Sequence, residues 1–109
     1  GAALAQKLHA GFVPLRKPGK LPPPVATVDY QLEYGSDQLQ VQRDAFRPGE
    51  RALLADDVLA TGGTLAAAAA LVGGLGAELL GASVVIELPA LQGRSRWPTG
   101  KPLHSLLRY

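Results

Sequence analysis

Between Arg51 and Leu88 the hydrophobic pattern changes three times, and this succession restricts the fold more than any other feature of the chain. Residues 51–55, RALLA, form a short apolar run of the kind that makes a core strand in a parallel sheet. The acid pair Asp56-Asp57 and the small-residue segment ATGGT at 60–64 follow. Then Leu65, Ala68, Ala69, Val72 and Leu75 recur at the spacing of an amphipathic helix, and Gly73, Gly74 and Gly76 predict its end. ELLGASVVIEL at 78–88 predicts a second strand. Strand, turn, helix, strand is a βαβ unit, which argues for an α/β fold around a parallel sheet.

The flanks are less regular. Ala2, Leu4, Ala5 and Leu8 suit a short helix that Gly11 can end. FVPL at 12–15 predicts a short buried strand, held to a sheet edge by Pro14. RKPGKLPPP at 16–24 is too rich in Pro and Gly for a regular ladder and reads as a long, mobile loop. From Val28 the period becomes two: Val28, Tyr30, Leu32 and Tyr34 alternate with Asp29, Gln31 and Glu33. Gly35-Ser36 predicts a turn, and Leu39 and Val41 alternate with glutamines on the way back, giving a β-hairpin. RPGE at 47–50 is a further turn, residues 89–101 read as loop, and LHSLLRY at 103–109 as a last strand. There is no internal repeat.

A chain of 109 residues, 47% of them hydrophobic, is one domain with a modest core. Its net charge of +2 is too small to argue for nucleic acid, yet it suits an anionic small molecule. With no cysteine, disulfides and thiolate metal sites are excluded. No apolar run approaches a membrane span and no signal pattern opens the chain, so a cytoplasmic protein without a membrane partner is expected. The chain begins with Gly1 and contains no methionine, which predicts a processed form or a fragment.

The acid pair and the glycine loop give the chemistry. Beyond the carboxyl end of a parallel strand, loop amides and the positive end of the next helix bind phosphate. Ala60, Thr61, Gly62, Gly63 and Thr64 are small enough to let an anion approach the backbone, and both threonines add hydroxyl donors. Asp56 and Asp57 would repel phosphate but suit neighbouring hydroxyls, so a ribose phosphate is the natural ligand. A Walker A loop requires lysine where Thr64 stands, and the G-x-G-x-x-G dinucleotide fingerprint is absent. Taken alone, the same residues could merely end a strand and open a helix.

As a whole, ALLADDVLATGGT at 52–64 closely resembles the phosphoribosyl pyrophosphate signature of type I phosphoribosyltransferases. LRKPGKLP (15–22), YQLEYGSDQLQVQRDAF (30–46) and SVVIELPALQGR (83–94) are similar to adenine phosphoribosyltransferases in order and spacing. The resemblance runs from about Leu4 to Tyr109. It implies a type I phosphoribosyltransferase-like fold in which the hairpin is a hood or lid. Asp56 and Asp57 would hold the ribose hydroxyls and residues 60–64 the 5′-phosphate. Glu33 and Tyr34 would sit in the hood over the reacting centre, with Glu33 aiding proton movement on the purine. Arg16, Lys17 and Lys20 would neutralise pyrophosphate, partly across a homodimer interface. Mg²⁺ would be held mainly by substrate and water.

The resemblance further implies purine salvage, with the phosphoribosyl group passing from 5-phosphoribosyl 1-pyrophosphate to adenine to give AMP and pyrophosphate. Family members are longer at the N-terminus, so residues 1–109 correspond to a phosphoribosyltransferase domain lacking its N-terminal part, where most adenine contacts lie. The 109-residue chain alone is then expected to bind nucleotide phosphate weakly and to be inactive. Transfer to another purine such as xanthine, and a non-catalytic regulator that senses phosphoribosyl pyrophosphate, are the alternatives. Neither His9 nor His104 attracts a role, Trp97 reads as local packing, and Glu87 as a structural hydrogen-bonding residue at a strand end.

Overall fold

A computed structural model describes residues 2–32, 35–98 and 100–109. Helix α1 (Ala2–Lys7) opens the chain. Strands β1 (Val25–Leu32) and β2 (Gly35–Gln42) form an antiparallel two-stranded sheet. Strand β3 (Arg51–Leu59), helix α2 (Gly63–Gly74), strand β4 (Glu78–Glu87) and strand β5 (Leu103–Arg108) complete the order. Strands β3, β4 and β5 form a second, wholly parallel sheet in that spatial order. The expected βαβ unit is therefore present, and β5 extends it by one parallel strand.

Helix α2 packs against both sheets, which explains its composition. Leu65, Ala67, Ala68, Ala69, Leu71 and Val72 are all buried, an arc of more than half the helix circumference. One apolar face cannot cover two layers, so the helix is apolar nearly all round rather than amphipathic. Small alanines let the hairpin and the parallel sheet approach from either side. Tyr30, Leu39 and Val41 from the hairpin join Leu54, Leu59, Leu79 and Val84 from the sheet in one apolar cluster around α2. Val41 and Val72 are fully inaccessible, and burying side chains of this size contributes about 1.5–3 kcal/mol each. The helix ends as its glycines predict. The Gly76 N–H donates to Gly73 C=O at 3.0 Å and the Ala77 N–H to Val72 C=O at 3.4 Å, with Gly76 at φ +84°. This is a Schellman closure.

Several local expectations change. Residues 12–15 form no strand; only Arg16 pairs, exchanging two backbone bonds with Gln40 at 2.9 and 2.7 Å. Pro14 supplies no N–H to a ladder. The hairpin begins at Val25, and Leu32 pairs with Gly35, so Gly35 and Ser36 are strand residues rather than the turn. Strand β3 runs four residues past Ala55 and takes in Asp56 and Asp57. It is the edge of its sheet, and only Leu54 and Leu59 are buried, so it is not the fully buried strand its apolar run suggests. The stretch between β4 and β5 contains two 3₁₀ turns, Pro89–Leu91 and Gly93–Arg96.

Glu87 closes β4 with a residue exposure of only 2%. Its carboxylate accepts two bonds from Arg94, at 2.7 and 3.1 Å, and one from Ser105 Oγ at 2.9 Å. Arg108 Nε lies 3.3 Å away. Those partners, Arg94 foremost, hold its carboxyl down at about 2. A buried carboxylate needs this degree of pairing. Trp97 is buried and its indole N–H donates to Lys101 C=O at 2.8 Å, consistent with local packing. No helix among the described residues is long and apolar enough to cross a membrane.

Candidate functional site

The segment from Ala60 to Thr64 joins the carboxyl end of β3 to α2, as the parallel-strand geometry requires. Gly62 precedes the helix at φ +88°, a left-handed conformation that glycine adopts without penalty. The first helical bond runs from Ala66 N–H to Gly62 C=O at 3.0 Å. The N–H groups of Gly63, Thr64 and Leu65 therefore have no partner inside the helix. Thr61 and Thr64 are exposed, whereas Gly62 is buried against the Gly93 backbone and Gly63 against the Arg96 side chain and the Gln31 carbonyl. The result is a ring of donors at the positive end of α2, with two hydroxyls open to solvent.

A shallow concavity of about 80 Å³ lies on this loop, lined by Asp56 and by residues 58–65. Asp56 and Asp57 are both exposed, and the Asp57 N–H donates to Asp56 Oδ1 at 2.8 Å. Neighbours in a strand point to opposite faces, and of the two carboxylates only Asp56 lines the concavity.

A larger open cleft of about 500 Å³ adjoins it, lined by Leu15, Arg16, Lys17, Lys20, Tyr30, Leu39 and Thr64. Thr64 borders both hollows. The fold thus brings the three cations of the 16–20 loop to the first turn of α2, about 45 residues away along the chain. Lys17 is ion-paired with Asp37 of β2, which raises the lysine pKa and lowers that of the carboxyl. Arg16 and Lys20 make no side-chain hydrogen bond or ion pair among the described residues. Glu33 and Tyr34, the expected hood residues, lie outside the described residues. The hood itself rests on the loop: a Cβ built on Gly63 would stand 3.4 Å from the Gln31 carbonyl oxygen of β1.

Sequence reasoning missed Tyr30 as a cleft residue, because alternation marks it only as apolar and inward. It also missed Arg96, whose Nη1 would lie 3.2 Å from a Cβ on Gly63. No periodic signal marks a residue delivered by an irregular segment.

The phosphoribosyl transferase domain model matches residues 1–99. An adenine phosphoribosyltransferase from Synechococcus sp. (strain JA-2-3B'a(2-13)) is 59% identical over 107 residues, covering 98% of this chain and 61% of that protein. The crystal structure of adenine phosphoribosyltransferase from Rhodothermus marinus superposes with a TM-score of 0.96 at 50% identity, over all of this chain and 62% of that one. The Saccharomyces cerevisiae enzyme, complexed with D-2,5-dideoxy-2,5-imino-altritol 1,6-bisphosphate and adenine, superposes with a TM-score of 0.93 at 45% identity, covering 98% and 60%. The chain spans about 60% of the length of the relatives it matches. A parallel βαβ unit, a glycine loop after an acid pair and a match over residues 1–99 agree: the chain belongs to the phosphoribosyl transferase domain family.

Proposed function

We propose that this chain supplies the ribose-phosphate and pyrophosphate half of an adenine phosphoribosyltransferase, acting in purine salvage. The observation that carries the reading is the meeting of two charged elements at Thr64: the donor loop on one side and Arg16, Lys17 and Lys20 on the other. A molecule with a phosphate at one end and a pyrophosphate at the other matches that layout. Adenine as acceptor rests on the names of the relatives, and AMP and pyrophosphate are then the products.

In this reading the 5′-phosphate takes the N–H groups at the start of α2 and the hydroxyls of Thr61 and Thr64. Asp56 and Asp57 accept from the ribose hydroxyls. The purine nitrogen forms a bond to the anomeric carbon as the bond from that carbon to pyrophosphate breaks, and the electron pair leaves with pyrophosphate. Positive charge grows on the sugar while negative charge grows on the leaving group, which the cations of the 16–20 loop stabilise as it develops. The purine N–H proton is lost in the process, and Glu33 is the carboxylate proposed to help move it, with Tyr34 beside it in the hood. A closing hood excludes water that would otherwise hydrolyse the sugar phosphate.

Mg²⁺ takes oxygen ligands and keeps several waters. Asp56 and Asp57 are the carboxylates on the loop side of the site, and the ion would be held mainly through substrate and water, as the family resemblance implies. When bound it would supply further neutralisation of the leaving group. The same reading carries a cytoplasmic setting and a homodimer whose neighbour shares part of the basic loop; sedimentation tests the dimer.

The central test is a thermal melt of the chain with AMP and with Mg²⁺-phosphoribosyl pyrophosphate, beside an AMP-forming assay with adenine. Ligand at about 100 times its Kd should add about 2.7 kcal/mol of apparent stability. Asp56→Asn, at the carboxylate that lines the hollow, should weaken that binding by about 1 kcal/mol or more, since a carboxylate accepts from hydroxyls more strongly than an amide does. No stabilisation by either ligand would overturn the reading.

A further inference from the structure

We propose that Glu87, Gly93 and Arg94 are positioning residues for the glycine loop: Gly93 is the seat on which the loop rests, and the Glu87–Arg94 ion pair is the tether that keeps the seat in place. The proposal rests on the assignment of the loop to ribose 5-phosphate.

The seat is visible in what a side chain would meet. A Cβ on Gly93 would collide with the Ala60 carbonyl oxygen and lie 2.9 Å from the Gly62 nitrogen. Conversely, a Cβ on Gly62 would collide with the Gly93 carbonyl oxygen, with Gly93 Cα only 3.0 Å away. The two backbones touch face to face with no side chain between them. This contact fixes the direction in which the amides from Gly62 onward point. A donor loop must be held within a few tenths of an ångström of its ligand geometry by the structure behind it.

The tether explains why the seat stays. Gly93 begins a short 3₁₀ turn entered through Gln92 at φ +55°; the turn is closed only by local bonds, Ser95 N–H to Gln92 C=O at 3.2 Å and Trp97 N–H to Arg94 C=O at 3.1 Å. Arg94, the next residue, is fixed at three points. It donates twice to Glu87 and, through Nη1 at 2.7 Å, to Leu103 C=O. Glu87 is in turn the register partner of Leu59, the last residue of β3 before the loop, and the Leu88 N–H donates to Leu59 C=O at 2.9 Å. One buried carboxylate therefore ties together the strand end that leads into the loop and the turn that backs it. Such a planar two-point pair fixes direction as well as distance. Arg96 adds a second touch, against Gly63.

The test compares parent, Gly93→Ala, Glu87→Gln, Arg94→Lys and, as a control in open space, Gly11→Ala. Two readouts are taken below the melting temperature of each: affinity for ribose 5-phosphate, and backbone amide order parameters at residues 61–64. Gly93→Ala is expected to lose at least tenfold in affinity, Glu87→Gln and Arg94→Lys about three- to tenfold, and Gly11→Ala less than twofold. Order parameters at 61–64 should fall from the rigid range near 0.85 toward 0.6 in the first three only. Folded variants with lowered melting temperature but unchanged affinity and order would show a merely structural role and overturn the proposal. If Gly93→Ala does not fold, Glu87→Gln decides by the same two readouts. If the parent fails to bind ribose 5-phosphate, the phosphate assignment falls, and unchanged order parameters in Glu87→Gln then overturn the tether as well.

Discussion

The glycine loop at 60–64 and the basic loop at 16–20 line adjoining hollows that meet at Thr64 but are held in opposite ways. The first is braced on three sides, by β3, by α2 and by the backbone of Gly93. The second hangs from one two-bond bridge at Arg16 and one exposed ion pair at Lys17. A 5′-phosphate keeps its charge throughout the proposed reaction, so a rigid cradle of fixed amides suits it. Pyrophosphate gains charge and then departs, which suits cations on a segment able to follow it. On that proposal, rigidity is placed where the ligand does not change.

The sharpest way to break this contrast is a matched pair of glycine substitutions. Gly62 and Gly19 have nearly the same backbone angle, φ +88° and +83°, but the space around Gly19 is open. Gly62→Ala should destabilise by about 3 kcal/mol, combining left-handed strain with a backbone collision. Gly19→Ala should cost about 1 kcal/mol, from strain alone. Urea unfolding of both decides; equal losses would mean that the glycine loop is not braced.

A middle-sized effect concerns acid. The Glu87 carboxyl sits at about 2 in the folded chain against an ordinary value of 4.5. The folded state therefore binds that proton less readily than the unfolded one. Its contribution is complete above about pH 4.5 and is lost as pH falls toward 2. Glu87→Gln should lower stability near neutrality by about 2 kcal/mol, after allowing for the exposure of Arg94, and flatten the acid limb between pH 4.5 and 2. Denaturant midpoints at a series of pH values measure this.

The smallest effect belongs to the loosely held side. Asp37→Asn removes the partner of Lys17, whose side chain is largely exposed while that of Asp37 is partly covered. The melting temperature should stay nearly unchanged, whereas pyrophosphate should bind more tightly at low salt because a competing carboxylate is gone. A large loss of stability would show that the basic loop is as firmly built as its neighbour.

Legibility in the sequence followed the same division. The βαβ unit, the Ala60–Thr64 loop and the end of α2 could be read from period and from glycine because every determinant is local. Residues 12–15 misled on both counts: Phe12 is exposed, Val13 and Leu15 are only partly buried, and Pro14 decides against the ladder. The all-round burial of α2 was hidden in its alanines, which suit one packed face or two equally well. Gly93, Arg94 and Arg96 could not be found by spacing, since a 3₁₀ turn has no amphipathic period to betray which residues face the loop. That Arg16, Lys17 and Lys20 reach Thr64 depends on the hairpin folding back over α2, a long-range event with no local signature.

The contact between Gly62 and Gly93 also sets an order of events during synthesis. The loop emerges from the ribosome about 30 residues before the residue it rests on, which at ordinary elongation speeds is a delay of about 2–6 s. Throughout that interval the amides after β3 have no backing. The nascent chain therefore carries the proposed phosphate-binding residues well before they can hold their final shape, and on that proposal binding competence arrives only with the turn after β4.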